Sequence, residues 1–240
     1  MYLLLVEVYV GTSGWSYDWN PDGFKWYARE SRLNAVELNS SFYRLPYRSM
    51  ALGWSRLSHK IRWAIKVHRM VTHVYRLKPP KALEWLGYLM ARVNPLEEKC
   101  LIDFYLFQLP PSYTASKTNW ERIEYIASKT ELGSRMAVEW RHTSWFNDEW
   151  IDRSKELGIT IVSIDSPDFL FYARSSPYVY VRMHGRSFWY VHYYTDEELL
   201  EVAKKVVGLG GSKIYVFFNN DHDMLENARR MYAILLKIIS

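Results

Sequence analysis

The chain has 240 residues, 49% of them hydrophobic and 24% charged, which suits a single globular domain spanning residues 1–240. A net charge of +5 favours an anionic partner without requiring one, and eleven tryptophans exceed what a core of this size needs. The single cysteine, Cys100, excludes an intramolecular disulfide and a cysteine-built zinc cluster.

The run Met1–Val10 has no basic flank, carries Glu7, and reads as a first strand rather than a signal peptide. No apolar stretch approaches the roughly twenty residues of a membrane span, so a cytoplasmic protein is expected. Gly11-Thr12-Ser13-Gly14-Trp15 breaks that strand as a tight turn and lacks the lysine of a nucleotide-phosphate loop. A short helix over 24–32 and a second strand over 35–39 follow, then a helix near 49–58 and a third strand over 62–67. After a long loop, a helix over 80–93 begins at a proline, and Pro95 should close it. The fourth strand, 101–108, stops at Pro110-Pro111, and a helix over 119–131 precedes Gly133 as its stop. The fifth strand is 135–139, a helix capped by Asn147 or Asp148 ends before Gly158, and the sixth strand is 159–164.

The pattern falters over 168–176, which is too short and irregular for a helix. It resumes with a seventh strand over 178–183, an amphipathic helix over 196–207, an eighth strand over 213–218 and a final helix near 224–239. Eight apolar strands mostly alternating with helices, with no linker, predict an α/β fold: one (β/α)₈ TIM-type barrel with an irregular segment after the sixth strand. An open doubly wound sheet is the alternative, disfavoured because nearly every strand exits into polar residues. In a barrel those exits converge on one face.

The exits carry recognisable motifs: Gly11-Thr12-Ser13-Gly14-Trp15, Glu37-Leu38-Asn39-Ser40-Ser41-Phe42-Tyr43-Arg44, Phe107-Gln108-Leu109-Pro110-Pro111, Glu139-Trp140-Arg141-His142, Val181-Arg182-Met183-His184-Gly185 and Phe218-Asn219-Asn220. Together they resemble the YecE-like family, a domain of unknown function, over almost the whole chain. The resemblance implies a TIM-type barrel with a shared polar mouth and supplies no reaction.

Alternation aims Lys66, Glu139 and Arg182 inward from the third, fifth and seventh strands, where two cations flanking Glu139 would lower its pKa. A buried ion-pair network that only satisfies itself is the competing account. The even strands offer Glu37, Gln108, Asp165 and Asn219 or Asn220. Glu37 and Asp165 are expected either as a carboxylate pair or, with His184, as ligands of a divalent cation. No tight ligand spacing supports a metal, and no organic cofactor is implied. His184, two residues beyond Arg182, is expected to point the same way nearer solvent and is the preferred acid/base. Arg44, Arg69, Arg141, Arg182 and Arg186 with Lys66 form an expected cationic rim, interleaved with Trp15, Trp145, Trp189, Tyr17 and Tyr43. His142, Asn39 and Tyr43 complete the expected binding set.

These residues predict a hydrolase-like enzyme acting on a small anionic substrate, a phosphoester or nucleic acid. Lys66, Arg141 and Arg182 would hold the anion, Glu139 would orient them, and Glu37, Asp165 or His184 would move protons. The alternatives are a nucleic-acid or nucleotide-binding protein without chemistry, and a carbohydrate-active barrel using paired carboxylates.

Overall fold

Eight of the apolar runs become parallel strands of a sheet that closes on itself. The computed structural model describes residues 6–240, so the start of the expected N-terminal strand, residues 1–5, lies outside the described residues. The strands are β1 Glu7–Ser13, β2 Ala35–Leu38, β3 Arg62–Lys66, β4 Ile102–Gln108, β5 Met136–Glu139, β6 Thr160–Asp165, a two-residue β7 Leu170–Phe171, β8 Tyr178–Met183 and β9 Lys213–Phe218. Each barrel strand pairs in parallel with the next, and β1–β9 and β5–β6 contacts complete the ring. Helices α1 Gly23–Glu30, α2 Arg48–Leu57, α3 Lys81–Glu97, α4 Lys117–Thr130, α5 Asp148–Leu157, α6 Asp196–Gly208 and α7 Met224–Ile239 pack outside. The protein is a TIM-type barrel.

The irregular segment falls where the pattern faltered. No helix separates β6 from β8; β7 folds back antiparallel onto the end of β6, pairing Phe171 with Ile164 and Leu170 with Asp165. Elsewhere the helix ends follow local chemistry. Thr195 and Glu198 form a capping box at the start of α6, and Asn147 caps α5. Two expected stops differ. Helix α3 runs through Pro95 to Glu97 because the fully buried Leu96 anchors the last turn. Helix α4 ends at Thr130, within a residue of expectation, but the left-handed residue that caps it is Glu131 rather than Gly133.

The barrel is filled in layers. Tyr9, Ala35, Ala64, Phe104, Leu106, Ala137, Val162, Tyr180, Tyr215 and Phe217 form the interior cluster, and a larger apolar cluster lies between strands and helices. Gly11 has no room for a side chain, since an added Cβ would meet the Ala35 carbonyl oxygen at 2.3 Å. Below the interior cluster Arg62 pairs with Asp103; above it lies the C-terminal mouth. Among the described residues no helix is long and apolar enough to cross a membrane.

Candidate functional site

Inward alternation along β8 places Tyr180, Arg182 and His184 one above another towards the mouth. Arg182 is fully buried. Its Nε and Nη2 donate to the two oxygens of Glu37 at 2.9 and 2.6 Å, and its Nη1 donates to Glu139 Oε2 at 2.5 Å. Ser13 Oγ and Tyr180 Oη donate to the same Glu37 carboxylate at 2.7 and 2.8 Å. Gln108 stands at the margin, 3.4 Å from Arg182 Nη1. Glu139 is shared: its other oxygen accepts from Arg141 Nε.

Burial opposes the charge on Glu139, but Arg141 and Arg182 outweigh it and hold the carboxyl well below the usual carboxylate range. Burial likewise works against the Arg182 guanidinium, and Glu139 and Glu37 more than restore it, raising it above its ordinary value. Two carboxylates and two guanidiniums thus saturate one another. Tyr180 and Ser13 belong to this network and were not among the expected site residues; Tyr180 was recoverable from its two-residue offset from Arg182.

His184 departs from expectation. It is fully buried, because the segment after β8 folds over it. The Trp189 and Tyr190 rings lie 5.4 and 5.7 Å from its centroid, and the Arg141 guanidinium stacks 4.6 Å from the Trp189 ring centroid. Gly185 permits that fold-back with φ of +98°, where an added Cβ would lie 2.7 Å from the Phe188 carbonyl oxygen. Arg141 Nη2 lies 3.0 Å from His184 Nε2, and the Asn219 amide lies 3.2 Å from Nδ1. Burial, then Arg141 and Arg182, push the imidazole well below its ordinary pKa. His184 is therefore a neutral acceptor for Arg141 rather than a proton shuttle at neutral pH.

Asp165 is not beside Glu37. Val162 faces the interior, so Ile164 does too, and Asp165 faces outward from β6. There it accepts from Arg186 Nη2 at 2.8 Å, Tyr172 Oη at 2.6 Å and Tyr194 Oη at 2.8 Å. Arg186 is consumed by this cluster and by Glu201, and so leaves the expected cationic rim. The three expected metal candidates thus belong to different groups. Glu37 is saturated by a guanidinium, His184 accepts from another, and Asp165 lies outside the barrel. Among the described residues no group of three or more His, Cys, Asp or Glu is placed to hold a metal ion.

Of the paired asparagines, Asn219 faces His184 while Asn220 turns away to donate to the His192 carbonyl and Asn227 at 2.7 and 3.0 Å. His142 caps a turn through the Ser144 amide at 3.2 Å and makes no hydrogen bond to the ionic cluster. Trp145 is fully buried against Trp140 and leaves the rim. Trp15 packs on Phe24, Trp54 and Trp63 and lines a cleft of about 280 Å³ with Ser13, Tyr17, Asn39 and Tyr43. Next to it a cavity of about 230 Å³ shares Tyr17, Asn39 and Tyr43 and is completed by Lys66, Tyr190, Asn219 and Asp221.

Lys66 stands apart from the other charges. It is 6% exposed, and its Nζ lies 4.3 Å from the Phe42 ring centroid. Among the described residues it has no carboxylate within 4 Å, the two nearby acids being taken by Arg182 and Arg141. Burial, reinforced by Arg182 and Arg141, outweighs the pull of Glu37 and Glu139 and brings its pKa down to about 7.

A closed parallel barrel with an ionic cluster at the C-terminal ends of its strands defines the class: a TIM-type barrel with a polar, charged mouth. Within that class the chain belongs to the family described as protein of unknown function DUF72, whose family model matches residues 9–238. It is similar to a DUF72 family protein from Thermotoga maritima MSB8, with 28% identity, 97% and 99% of the two chains covered, and a TM-score of 0.82. It is also similar to one from Enterococcus faecalis V583, with 21% identity, 95% of each chain covered, and a TM-score of 0.84. A xylose isomerase domain-containing protein from Salmonella typhimurium LT2 shares the fold at 11% identity, with 89% and 92% covered and a TM-score of 0.60. No match was found among curated proteins.

Proposed function

We propose that the protein is an enzyme acting on a small anionic substrate, a phosphoester or a related phosphate- or carboxylate-bearing metabolite, held at the barrel mouth beside Lys66 and Arg141. The observation that carries this reading is an excess of cations on one side of the mouth. Burial chiefly, and then Lys66, Arg69, Arg141 and Arg76, depress the pKa of His73 to about 4. Arg141 is paired with Glu139, whereas Lys66, Arg69 and Arg76 have no carboxylate within 4 Å among the described residues, and cations left in that state favour a bound anion.

The proton-moving roles shift from those expected of the sequence. Glu37 is taken up by Arg182, Glu139 is held as an anion by Arg141 and Arg182, His184 is neutral and enclosed, and Asp165 is elsewhere. They support positioning. Lys66 is the mouth group able to exchange a proton near neutral pH. The same ionised Glu139 argues against a carbohydrate-active pair, which needs one carboxyl with a raised pKa.

Calorimetry with inorganic phosphate and small carboxylates tests the reading, with Arg69→Gln and Arg76→Gln expected to weaken binding by roughly two- to fivefold each. Absence of anion binding, or affinity indifferent to both variants, would overturn it. A second reading, nucleic-acid binding without chemistry, draws on the exposed Tyr43 and on Tyr47, whose ring lies under the Arg44 guanidinium. Salt-sensitive binding of a labelled single-stranded oligonucleotide, lost with Tyr43→Ala, would favour it.

A further inference from the structure

We propose that the ε-amine of Lys66 is a nucleophile that forms an iminium with the carbonyl carbon of a small anionic aldehyde or ketone bound in the adjoining cavity. The substrate class rests on the anion reading above; the covalent role goes beyond it.

Three structural observations converge. Lys66 closes β3 and lines the cavity of about 230 Å³ whose other walls are Tyr17, Asn39, Tyr43, Tyr190, Asn219 and, at its edge, the single carboxylate of Asp221. Its nitrogen rests over an aromatic face, without a carboxylate within 4 Å to keep it protonated. Arg182 and Arg141 are the cations that disfavour its charge, and both are locked by Glu37 and Glu139. A buried amine beside fixed cations is a way to obtain a free lone pair at neutral pH, and desolvation strengthens it as a nucleophile. A lysine with no ion pair also costs stability that an apolar residue of similar size would not, so its retention needs a chemical reason.

In the step, the Lys66 nitrogen lone pair attacks the carbonyl carbon and the C=O π pair moves to oxygen. The proton lost from nitrogen goes to that oxygen, giving a carbinolamine. With one further proton from water the hydroxyl leaves as water and the C=N⁺ bond forms. The iminium then takes the electron pair of an adjacent C–H or C–C bond, the departing proton, or the hydroxyl proton of the carbonyl fragment released, going to water. A proton from water returns the resulting enamine to an iminium, and addition of water to that releases the carbonyl product and the free amine. No oxidant or reductant is needed.

The test treats the whole protein at pH 7 with cyanoborohydride and either glyoxylate, an anionic aldehyde, or glycolaldehyde, a neutral one. Hydride delivery converts the iminium to a stable secondary amine located by peptide mass spectrometry. Lys66 is expected to be modified by glyoxylate at least about tenfold faster than the exposed Lys81 and Lys155. Glycolaldehyde should react more slowly there, inorganic phosphate should slow the glyoxylate adduct, and Lys66→Arg should abolish it. Phosphate binding by calorimetry with no Lys66 adduct from either aldehyde overturns the covalent role and leaves the anion reading intact. An adduct formed equally with both aldehydes and indifferent to phosphate upholds the nucleophile and overturns the anion reading. Labelling that follows exposure alone, with Lys66 among the slowest lysines, overturns the proposal.

Discussion

Arg182 grips Glu37 through Nε and Nη2 at 2.9 and 2.6 Å, a two-point fork closed off from water at the centre of the barrel mouth. The same guanidinium reaches Glu139, so one cation ties β2, β5 and β8 together across the interior. Removing one partner leaves the other charge buried and unpaired, which typically costs about 3–5 kcal/mol. Glu37→Gln and Glu139→Gln should each destabilise the fold by that order. Since both act through Arg182, the double variant should deviate from additivity by about 1 kcal/mol or more. Urea denaturation of the two single variants and the double variant checks this; strictly additive losses would show that the acids are independent.

His184 gives a pH dependence of definite sign. Its pKa in the barrel is well below the ordinary 6.5, through burial and then Arg141 and Arg182, so the unfolded chain takes up the proton first as pH falls. Stability contributed by the neutral ring is present above pH 6.5 and is lost below it. Between pH 6.5 and 5 the loss should be on the order of 1–2 kcal/mol, and smaller in His184→Gln. Parallel denaturation series at the two pH values check it, and an imidazole resonance titrating near 6.5 for His184 would contradict the assignment.

The barrel was legible because each strand is a short apolar run, buried on both faces, that ends in polar residues. That double burial is also what hid the direction of Asp165. Ser163-Ile164-Asp165 alternates, yet hydrophobicity cannot say which face is the interior when both are covered. The neighbours Asn219 and Asn220 posed the same choice, and only the register assigns Asn219 to the mouth. The enclosure of His184 was illegible for another reason. It depends on residues 185–194, a segment without helical or strand periodicity, whose fold-back needs the positive φ of Gly185 and the Tyr194 hydroxyl that accepts from its amide at 2.9 Å. Lys66 was visible as an inward cation, but its lack of a partner follows from how Arg182 divides the two acids.

Asp165 should behave as a structural acid. It binds Tyr172 from the segment between β6 and β8, and Arg186 and Tyr194 from the segment after β8, and so ties both segments to the end of β6. Asp165→Asn should cost about 2–4 kcal/mol of stability by leaving Arg186 partly unpaired. The rate of Lys66 modification by glyoxylate should stay within about twofold of the parent, because Asp165 lies outside the barrel and asparagine keeps an acceptor for the Tyr194 hydroxyl that holds the segment carrying Tyr190. A variant of normal stability in which that modification is lost would return Asp165 to the site.

The charge state of Lys66 makes its own prediction for stability. In the unfolded chain the ammonium holds its proton to near 10.5, whereas in the barrel it gives it up at about 7. Between those values the unfolded chain binds more protons, so raising the pH favours the folded state. The penalty for burying the ammonium is therefore full below about pH 7 and fades towards 10.5. Lys66→Met keeps the volume and removes the charge, while Arg182, Arg141, Glu37 and Glu139 still balance one another, with Asp221 across the cavity. The variant should be more stable than the parent at pH 6–7 by about 1–3 kcal/mol, several degrees in melting temperature, with the gain shrinking above pH 9. A gain in stability joined to loss of the iminium adduct is the pattern of a residue kept for chemistry rather than for folding. If Lys66→Met melts lower than the parent at pH 7, the lysine is instead a net stabilising part of the mouth, and its charge is satisfied there.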